Sequence, residues 1–309
     1  MKTVCVYHSI DLDGWMSAAI VKHWFVTKTL KTLLDNPNTI DFLGYDYGGP
    51  IPDLSEYDKV IMCDVAFPKE EMLNLRDRLT NSFIWIDHHI SAMRENKDEE
   101  IEGKQATNFS ACELTWMYFF PQTYMPEIVR LLGRYDCFGH KGTNEELKVL
   151  EFQYAARESI SDYEEAYATL CNDLDHNVTE EMIRQGMFIY NYLCTEAKQA
   201  YKNGFKVIFF ETTSKEDGAI TSGRVRIFIC INKERFNPIN FGIDYHKDGY
   251  DGAACFHYDG NVWKFSLYND NGEVDCSTIA KEYGGGGHKG AAGFILDNEE
   301  FLKFIFANE

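Results

Sequence analysis

Short β-rich runs alternate with segments of helical periodicity over the first 90 residues. The β-rich runs cover residues 3–7, 39–44, 59–63 and 83–86, and the helical segments cover 15–25 and 69–79. This alternation is typical of a parallel sheet covered by helices. The sequence therefore predicts an α/β fold whose N-terminal domain has a parallel sheet with helices on both faces.

Residues 111–202 have the pattern of nearly continuous helix, and the last segment shows the clearest periodicity. Its apolar positions recur at alternating steps of four and three residues: Ile183, Met187, Tyr190, Cys194, Ala197 and Tyr201. Gly204 follows as a stop signal. We predict that this helix, beginning near residue 178, links a first domain over residues 1–195 to a second domain over residues 205–309.

Strand patterns dominate after Gly204. The β-rich runs cover residues 206–210, 224–231, 252–258 and 261–268. Asp259-Gly260, between the last two runs, is a preferred two-residue hairpin turn because both positions must accept positive φ. A short helix follows at 277–283. These patterns predict a smaller C-terminal α+β domain, with a cleft between the two domains.

The overall composition is that of a globular protein. Hydrophobic residues make up 45% and charged residues 26% of the 309 residues. No apolar run approaches the roughly 20 residues of a membrane helix, and the first residues lack the features of a signal peptide. The nine cysteines occur singly, without a CxxC pair. We therefore expect a cytoplasmic protein with reduced thiols and no membrane partner.

The strongly acidic charge limits the class of partner. The formal net charge is -19, whereas proteins that grip long nucleic acids replace counterions with Lys and Arg. A long duplex is therefore not expected as a partner. The charge of a phosphate substrate would have to be met locally by metal ions, backbone N–H groups and a few cations. The sequence leaves the oligomeric state open, a homodimer included.

Acidic and imidazole side chains follow three of the predicted strands. They are His8, Asp11 and Asp13 after the first strand, Asp64 after the third, and Asp87, His88 and His89 after the fourth. In an open parallel sheet these strand ends lie at one edge, where ligand sites form. Crowded carboxylates raise each other's pKa, and divalent cations relieve that repulsion. A lone aspartate after a strand is more often a turn former, but the joint pattern predicts a metal site.

Four motifs in fixed order resemble those of the DHH phosphoesterase superfamily. They are HSIDLDG, CDV, IDHH and GRYDCF, and the later segment IAKEYGGGGHKGAAGF resembles the glycine-rich signature of the DHH-associated domain. The motifs span residues 8 to 294. The resemblance, which is to nanoRNase and oligoribonuclease-like members, implies a catalytic metal-binding first domain and a substrate-binding second domain.

The resemblance also implies the metals and their ligands. Two ions are implied, usually Mn²⁺, with Mg²⁺ or Co²⁺ as alternatives. One ion would be held by His8, Asp11 and Asp64, and the other by Asp13, Asp64, His88 and Asp136. Asp87 would orient an imidazole and His89 would face the substrate phosphate, which makes these two the implied catalytic residues. Two such ions activate water for in-line attack, so hydrolysis needs no protein nucleophile.

The glycine run at 284–287 has two interpretations. Four consecutive glycines are often a flexible connector, but this run follows a predicted helix and precedes more small residues, which suits close backbone approach. Backbone N–H groups in such a segment can hold an anion. By resemblance, the substrate-binding residues are Gly285, Gly286, Gly287 and His288. Relatives that degrade very short RNA often carry arginine near the position of Tyr268.

Three functions compete on these grounds. The leading hypothesis is a metal-dependent phosphoesterase, of exonuclease or phosphodiesterase type, that acts on short oligonucleotides, dinucleotides or nucleotide phosphates. The alternative is a pyrophosphatase or polyphosphatase, whose small anion would demand several cations, whereas the glycine-rich signature offers only Lys289. A metal-binding module without catalysis is disfavoured because all the implied ligands are present.

Overall fold

The computed structural model of the chain describes residues 1–31, 39–214, 220–234 and 236–308. The chain divides into two compact units, Met1–Ile189 and Tyr190–Glu309. No helix in these described ranges is both long enough and apolar enough to cross a membrane. The predicted domain limits and the predicted cleft stay predictions.

The first unit contains a five-stranded sheet in which every pairing is parallel. Its strands are β1 (Lys2–His8), β2 (Thr39–Tyr45), β3 (Lys59–Cys63), β4 (Phe83–Asp87) and β5 (Glu102–Gln105). The spatial order is β2-β1-β3-β4-β5. The sequence patterns located the first four strands but missed β5, because its sequence EGKQ has no apolar position to alternate.

Helices cover both faces of this sheet. They are α1 (Leu12–Lys31), α2 (Lys69–Leu79), α3 (Ile90–Glu95) and α4 (Ala111–Phe119). Val4 and Val6 of β1 pack in one cluster with Met72 of α2. Cys5, between them, points to the other face and packs with Ala18 of α1, as the two-residue repeat of a strand requires. The predicted α/β class, with helices on both faces of a parallel sheet, is confirmed.

Four further helices complete the helical part. They are α5 (Glu127–Asp136), α6 (Glu146–Ser159), α7 (Tyr163–His176) and α8 (Thr179–Lys202). Leu132 of α5 and Phe152 of α6 share a buried cluster with Met16 of α1. This packing fixes α5, whose last residue is Asp136.

The second unit contains a six-stranded mixed sheet. Its strands are β6 (Phe205–Ser214), β7 (Ile220–Asn232), β8 (Gly252–Tyr258), β9 (Trp263–Tyr268), β10 (Gly286–Gly287) and β11 (Ala291–Leu296), and its helices are α9 (Cys276–Glu282) and α10 (Asn298–Phe306). Only β7 and β8 pair in parallel within the described part of this sheet. The predicted C-terminal domain of mixed strands and helices is confirmed.

The hairpin between β8 and β9 corrects one local prediction. Tyr258 pairs with Trp263, so the connecting loop has four residues rather than two. The Asp259 carboxylate accepts hydrogen bonds from the backbone N–H groups of Asn261 and Val262 at 2.9 and 3.0 Å. Because an aspartate can cap its own turn in this way, the longer loop is stabilised.

Candidate metal centre

The carboxyl ends of three parallel strands bring the predicted polar residues together. His8 ends β1, Asp64 follows β3 and Asp87 ends β4. The described residues include three groups whose ligand atoms lie within 4.8 Å of one another: His8, Asp11 and Asp64; Asp13, His88 and Asp136; and Asp64, His88 and His89. The first two groups contain all six residues that the resemblance implied as metal ligands.

Asp64 lies between the first two groups and is 1% exposed. Its Oδ2 is 3.5 Å from Nδ1 of His8, and its Oδ1 is 3.3 Å from Nε2 of His88. Among the described residues, Oδ1 accepts no well-directed hydrogen bond although it is buried. A buried carboxylate oxygen that accepts no well-directed hydrogen bond is costly unless a nearby positive charge compensates it. The donor set therefore fits divalent cations.

The other short distances between ligand atoms also fall within the first two groups. Nδ1 of His8 is 3.0 Å from Oδ2 of Asp11. Nε2 of His88 is 3.3 Å from Oδ2 of Asp136 and 3.7 Å from Oδ2 of Asp13. Carboxylate oxygens suit Mg²⁺ and Mn²⁺, and imidazole nitrogens suit first-row transition metals, so this mixed set of ligand atoms fits a divalent transition-metal ion. The arrangement can thus bind metal through both groups.

Asp13 makes a structural contact that the sequence did not predict. Its two carboxylate oxygens accept hydrogen bonds, both at 2.8 Å, from the backbone N–H groups of Ala111 and Cys112 at the start of α4. These donors fix the carboxylate against a helix N-terminus. Each oxygen retains a further lone pair, so a ligand role for Asp13 is compatible with this contact.

The protonation behaviour of the cluster reflects its crowding. Burial and the Asp64 carboxylate raise the pKa of Asp13 to about 7. Burial lowers the pKa of His8, but the adjacent Asp11 and Asp64 carboxylates outweigh it and raise that pKa to about 11. In the same way, burial is outweighed by Asp64 and other acids at His88, whose pKa is raised to about 10. All three shifts reflect the crowding of carboxylates in the cluster, a repulsion that bound divalent cations would relieve.

Asp87 and His89 form a separate contact within the site. Asp87 is fully buried, and its Oδ1 lies 2.7 Å from Nδ1 of His89. The same oxygen accepts the backbone N–H of His88 at 2.7 Å. Asp87 therefore fixes the His89 ring and leaves its Nε2 for another partner. The predicted contact between His89 and the substrate stays a prediction.

Asp46 is a neighbour of the site that the sequence reasoning missed. It directly follows β2, and its Oδ1 is 3.4 Å from Nε2 of His8. Tyr47 stands beside it, with its ring centroid 5.8 Å from that of His8 and 5.9 Å from that of His89. The sequence contained a signal for Asp46, because β2 ends at the same edge of the sheet as β1, β3 and β4. An acid one residue past a strand resembles an ordinary turn former.

Asp46→Asn is expected to weaken Mn²⁺ binding. Since Nδ1 of His8 faces Asp11 and Asp64, the Asp46 carboxylate at Nε2 would orient the ring and raise its basicity as a metal ligand. Loss of that charge should raise the Kd for Mn²⁺ by about 10-fold or more, as measured by isothermal titration calorimetry. Asp98→Asn, at an exposed aspartate outside the three groups, is the control. Equal affinities in the two variants would contradict the orienting role.

The glycine-rich segment forms a hairpin within the second unit. Gly286 and Gly287 pair with Gly293 and Ala292. A Cβ on Gly287, whose φ is 141°, would lie 2.5 Å from Cα of Ala292, whereas a Cβ on Gly286 would meet nothing within 4 Å. His288 is exposed. Close packing in the hairpin thus explains why residue 287 is glycine. Packing among the described residues gives no such reason for glycine at position 286.

Comparison with known sequences finds a family match within the first unit. Residues 3–133 match the model of the DHH family, N-terminal domain. An uncharacterized protein of Acanthamoeba polyphaga mimivirus is 23% identical over 307 residues, which cover 95% of this chain and 67% of that protein.

Three solved structures share the fold. A pGpG-specific phosphodiesterase, PggH from Vibrio cholerae, is 13% identical with a TM-score of 0.53, covering 99% of this chain and 97% of that one. An exopolyphosphatase-related protein from Bacteroides fragilis is 17% identical with a TM-score of 0.53, covering 99% and 90%. Exonuclease RecJ bound to manganese is 12% identical with a TM-score of 0.50, covering 99% and 88%.

Proposed function

We propose that this chain, whose N-terminal region is a DHH-family domain, binds two divalent cations and hydrolyses phosphate esters of short nucleotides. The observation that supports it most is the position of Asp64, with one carboxylate oxygen toward His8 and the other toward His88. A carboxylate in this position can bridge two ions. Such a pair is the usual device for in-line displacement at phosphorus.

The proposed ligand sets divide between the two groups. His8, Asp11 and Asp64 would hold one ion, and Asp13, Asp64, His88 and Asp136 would hold the other. The ions would supply Lewis-acid activation of water and neutralise phosphate oxygens. Mn²⁺ is the first metal that we propose, because exonuclease RecJ, which shares the fold, binds manganese.

His89 is the side chain proposed to contact the phosphate. Its Nδ1 is engaged by Asp87, so only Nε2 is free to donate. Burial lowers the pKa of His89, but Asp87 outweighs burial and raises that pKa. A protonated ring can donate Nε2–H to a phosphate oxygen, where a charge-assisted hydrogen bond is strong.

The proposed substrate is a short oligonucleotide or dinucleotide. The net charge of -19 opposes binding of long polyanions, and two proteins that share the fold are described as a pGpG-specific phosphodiesterase and an exonuclease. Polyphosphate is the second candidate substrate, because an exopolyphosphatase-related protein has the same fold.

A substrate panel tests the proposal. The purified chain with Mn²⁺ is incubated with linear dinucleotides, longer RNA, a 3′,5′-bisphosphate nucleotide, cyclic dinucleotides and pyrophosphate. We expect the highest kcat/KM for a linear dinucleotide and complete loss of activity with EDTA. Fastest turnover of pyrophosphate would favour the second candidate. Processive degradation of RNA tens of nucleotides long would contradict the short-substrate proposal.

Gly286→Ala and His288→Ala are expected to raise KM without lowering thermal stability. A Cβ on Gly286 meets nothing in the chain, so an effect on KM would come from a ligand at its backbone. Loss of the His288 hydrogen bond to a phosphate should raise KM by about 10- to 100-fold. Steady-state kinetics, differential scanning fluorimetry and Mn²⁺ content are measured on the same preparations.

Gly287→Ala is the matched control for this pair. Its Cβ would clash with Ala292, and its φ is 141°, so this variant should lose thermal stability instead. Unchanged KM in both Gly286→Ala and His288→Ala would show that the glycine-rich hairpin is only structural. Loss of bound Mn²⁺ from His288→Ala would move that residue into the metal centre.

A further inference from the structure

Phe138 is an exposed aromatic residue in a left-handed backbone conformation, two residues after Asp136. Its φ is 56° and it is 61% exposed. A bulky side chain is strained at positive φ. Residues held in such conformations occur preferentially at functional sites.

The local fold requires a turn here but does not require phenylalanine. Phe138 lies just after the C-terminal cap of α5, and its N–H donates to the carbonyl of Tyr135. A left-handed residue at this position is common, and glycine usually fills it. Helix α7 ends with left-handed Asn177, a residue type that tolerates the conformation. Neither the backbone nor burial in a core therefore explains the aromatic side chain.

The turn that carries Phe138 is firmly held. His140 is 2% exposed, and its ring stacks on Tyr135 with centroids 5.3 Å apart and planes 9° apart. The backbone N–H and the Nδ1 of His140 lie 3.2 and 2.9 Å from the carbonyl oxygen of Arg134. The Phe138 ring therefore projects from a turn that stacking and hydrogen bonds hold in place.

A cation lies over the exposed ring. Nζ of Lys141 lies 4.8 Å from the centroid of the Phe138 ring, and the residue keeps its 61% exposure with the lysine in place. An exposed aromatic face on which a base can stack, next to a positive charge for the backbone phosphate, is the combination that binds single-stranded nucleotides.

We propose that Phe138 stacks on a base of the substrate and so selects nucleotides over phosphate substrates that lack a base. The proposal rests on the proposed function, because it places the base beside the phosphate site through Asp136, two residues earlier in the chain. Pyrophosphate and polyphosphate have no base. Phe138 would thus determine which class of phosphate compound the site prefers.

Phe138→Gly separates binding from stability. Loss of one stacking contact should raise KM for a linear dinucleotide by about 5- to 150-fold, with a much smaller change for the corresponding abasic dinucleotide. Glycine also relieves the strain at positive φ, so the melting temperature should rise in the same variant. The two opposite shifts are measured by steady-state kinetics and scanning calorimetry.

Tyr124→Gly is the matched control, since Tyr124 is a fully exposed aromatic residue of the same unit. It should leave KM for the dinucleotide within about twofold of the wild type, because stacking is local to Phe138. Equal KM changes on the two substrates in Phe138→Gly, or none on either, would overturn the proposal.

Phe138→Trp reports the contact directly and does not depend on hydrolysis. Stacking of a purine should quench the added indole fluorescence, measured as the difference from the wild type with Ca²⁺ in place of Mn²⁺. Quenching by a dinucleotide but not by its abasic analogue supports the inference even if the wild type hydrolyses no nucleotide, in which case only the proposed function fails. Hydrolysis of dinucleotides without any quenching would show instead that the stacking role is wrong.

Discussion

Asp64→Asn is expected to abolish Mn²⁺-dependent hydrolysis and to reduce the Mn²⁺ content below two ions per chain. The two oxygens of Asp64 face His8 and His88 separately, so loss of its charge weakens both groups at once. Catalysis by a metal pair contributes several kcal/mol, and activity should therefore fall by roughly 1000-fold or more. The measurements are kcat and metal content by elemental analysis.

Asparagine is the right replacement because the backbone at Asp64 has a φ of 62°. Asparagine tolerates this conformation as well as aspartate does, so a loss of activity would not come from backbone strain. Circular dichroism should show an intact fold, and Asp98→Asn is the control for loss of a single charge. Retention of two Mn²⁺ ions and of more than about a tenth of the activity would rule out the bridging role.

Periodicity predicted the part of the fold that places the site. The apolar runs of β1, β3 and β4 are continuous, because a parallel sheet covered on both faces is buried on both sides. The polar residues at their ends then had to meet at one edge. The meeting of His8, Asp64 and His88 therefore followed from local pattern together with one topological rule.

Local sequence patterns could not predict long-range contacts. Asp13 holds the start of α4 through Ala111, 98 residues later, and no spacing in the sequence connects them. Asp136 ends a helix that lies outside the sheet, so only the family resemblance placed it among the implied ligands. Asp46 was missed for a different reason, since one acid after a strand has the same local pattern whether it forms a turn or orients a ligand.

His89→Ala is expected to lower kcat by about 100- to 1000-fold, the usual loss when one donor to a developing negative charge is removed, while both Mn²⁺ ions remain bound. The contrary interpretation is that His89 is a ligand, because it shares a group with Asp64 and His88. The nitrogen nearest Asp64 is Nδ1, at 3.8 Å, and that nitrogen is already engaged by Asp87 at 2.7 Å.

The adjacent histidine provides the matched variant for this last prediction. Nε2 of His88 lies 3.3 Å from both Asp64 and Asp136, so His88→Ala should lose Mn²⁺ as well as activity. His89→Ala should lose activity alone, and the difference appears when metal content and kcat are measured on the same preparations. If His89→Ala lost an ion while His88→Ala kept both, the ligand and the phosphate donor would have to be exchanged between these two neighbours.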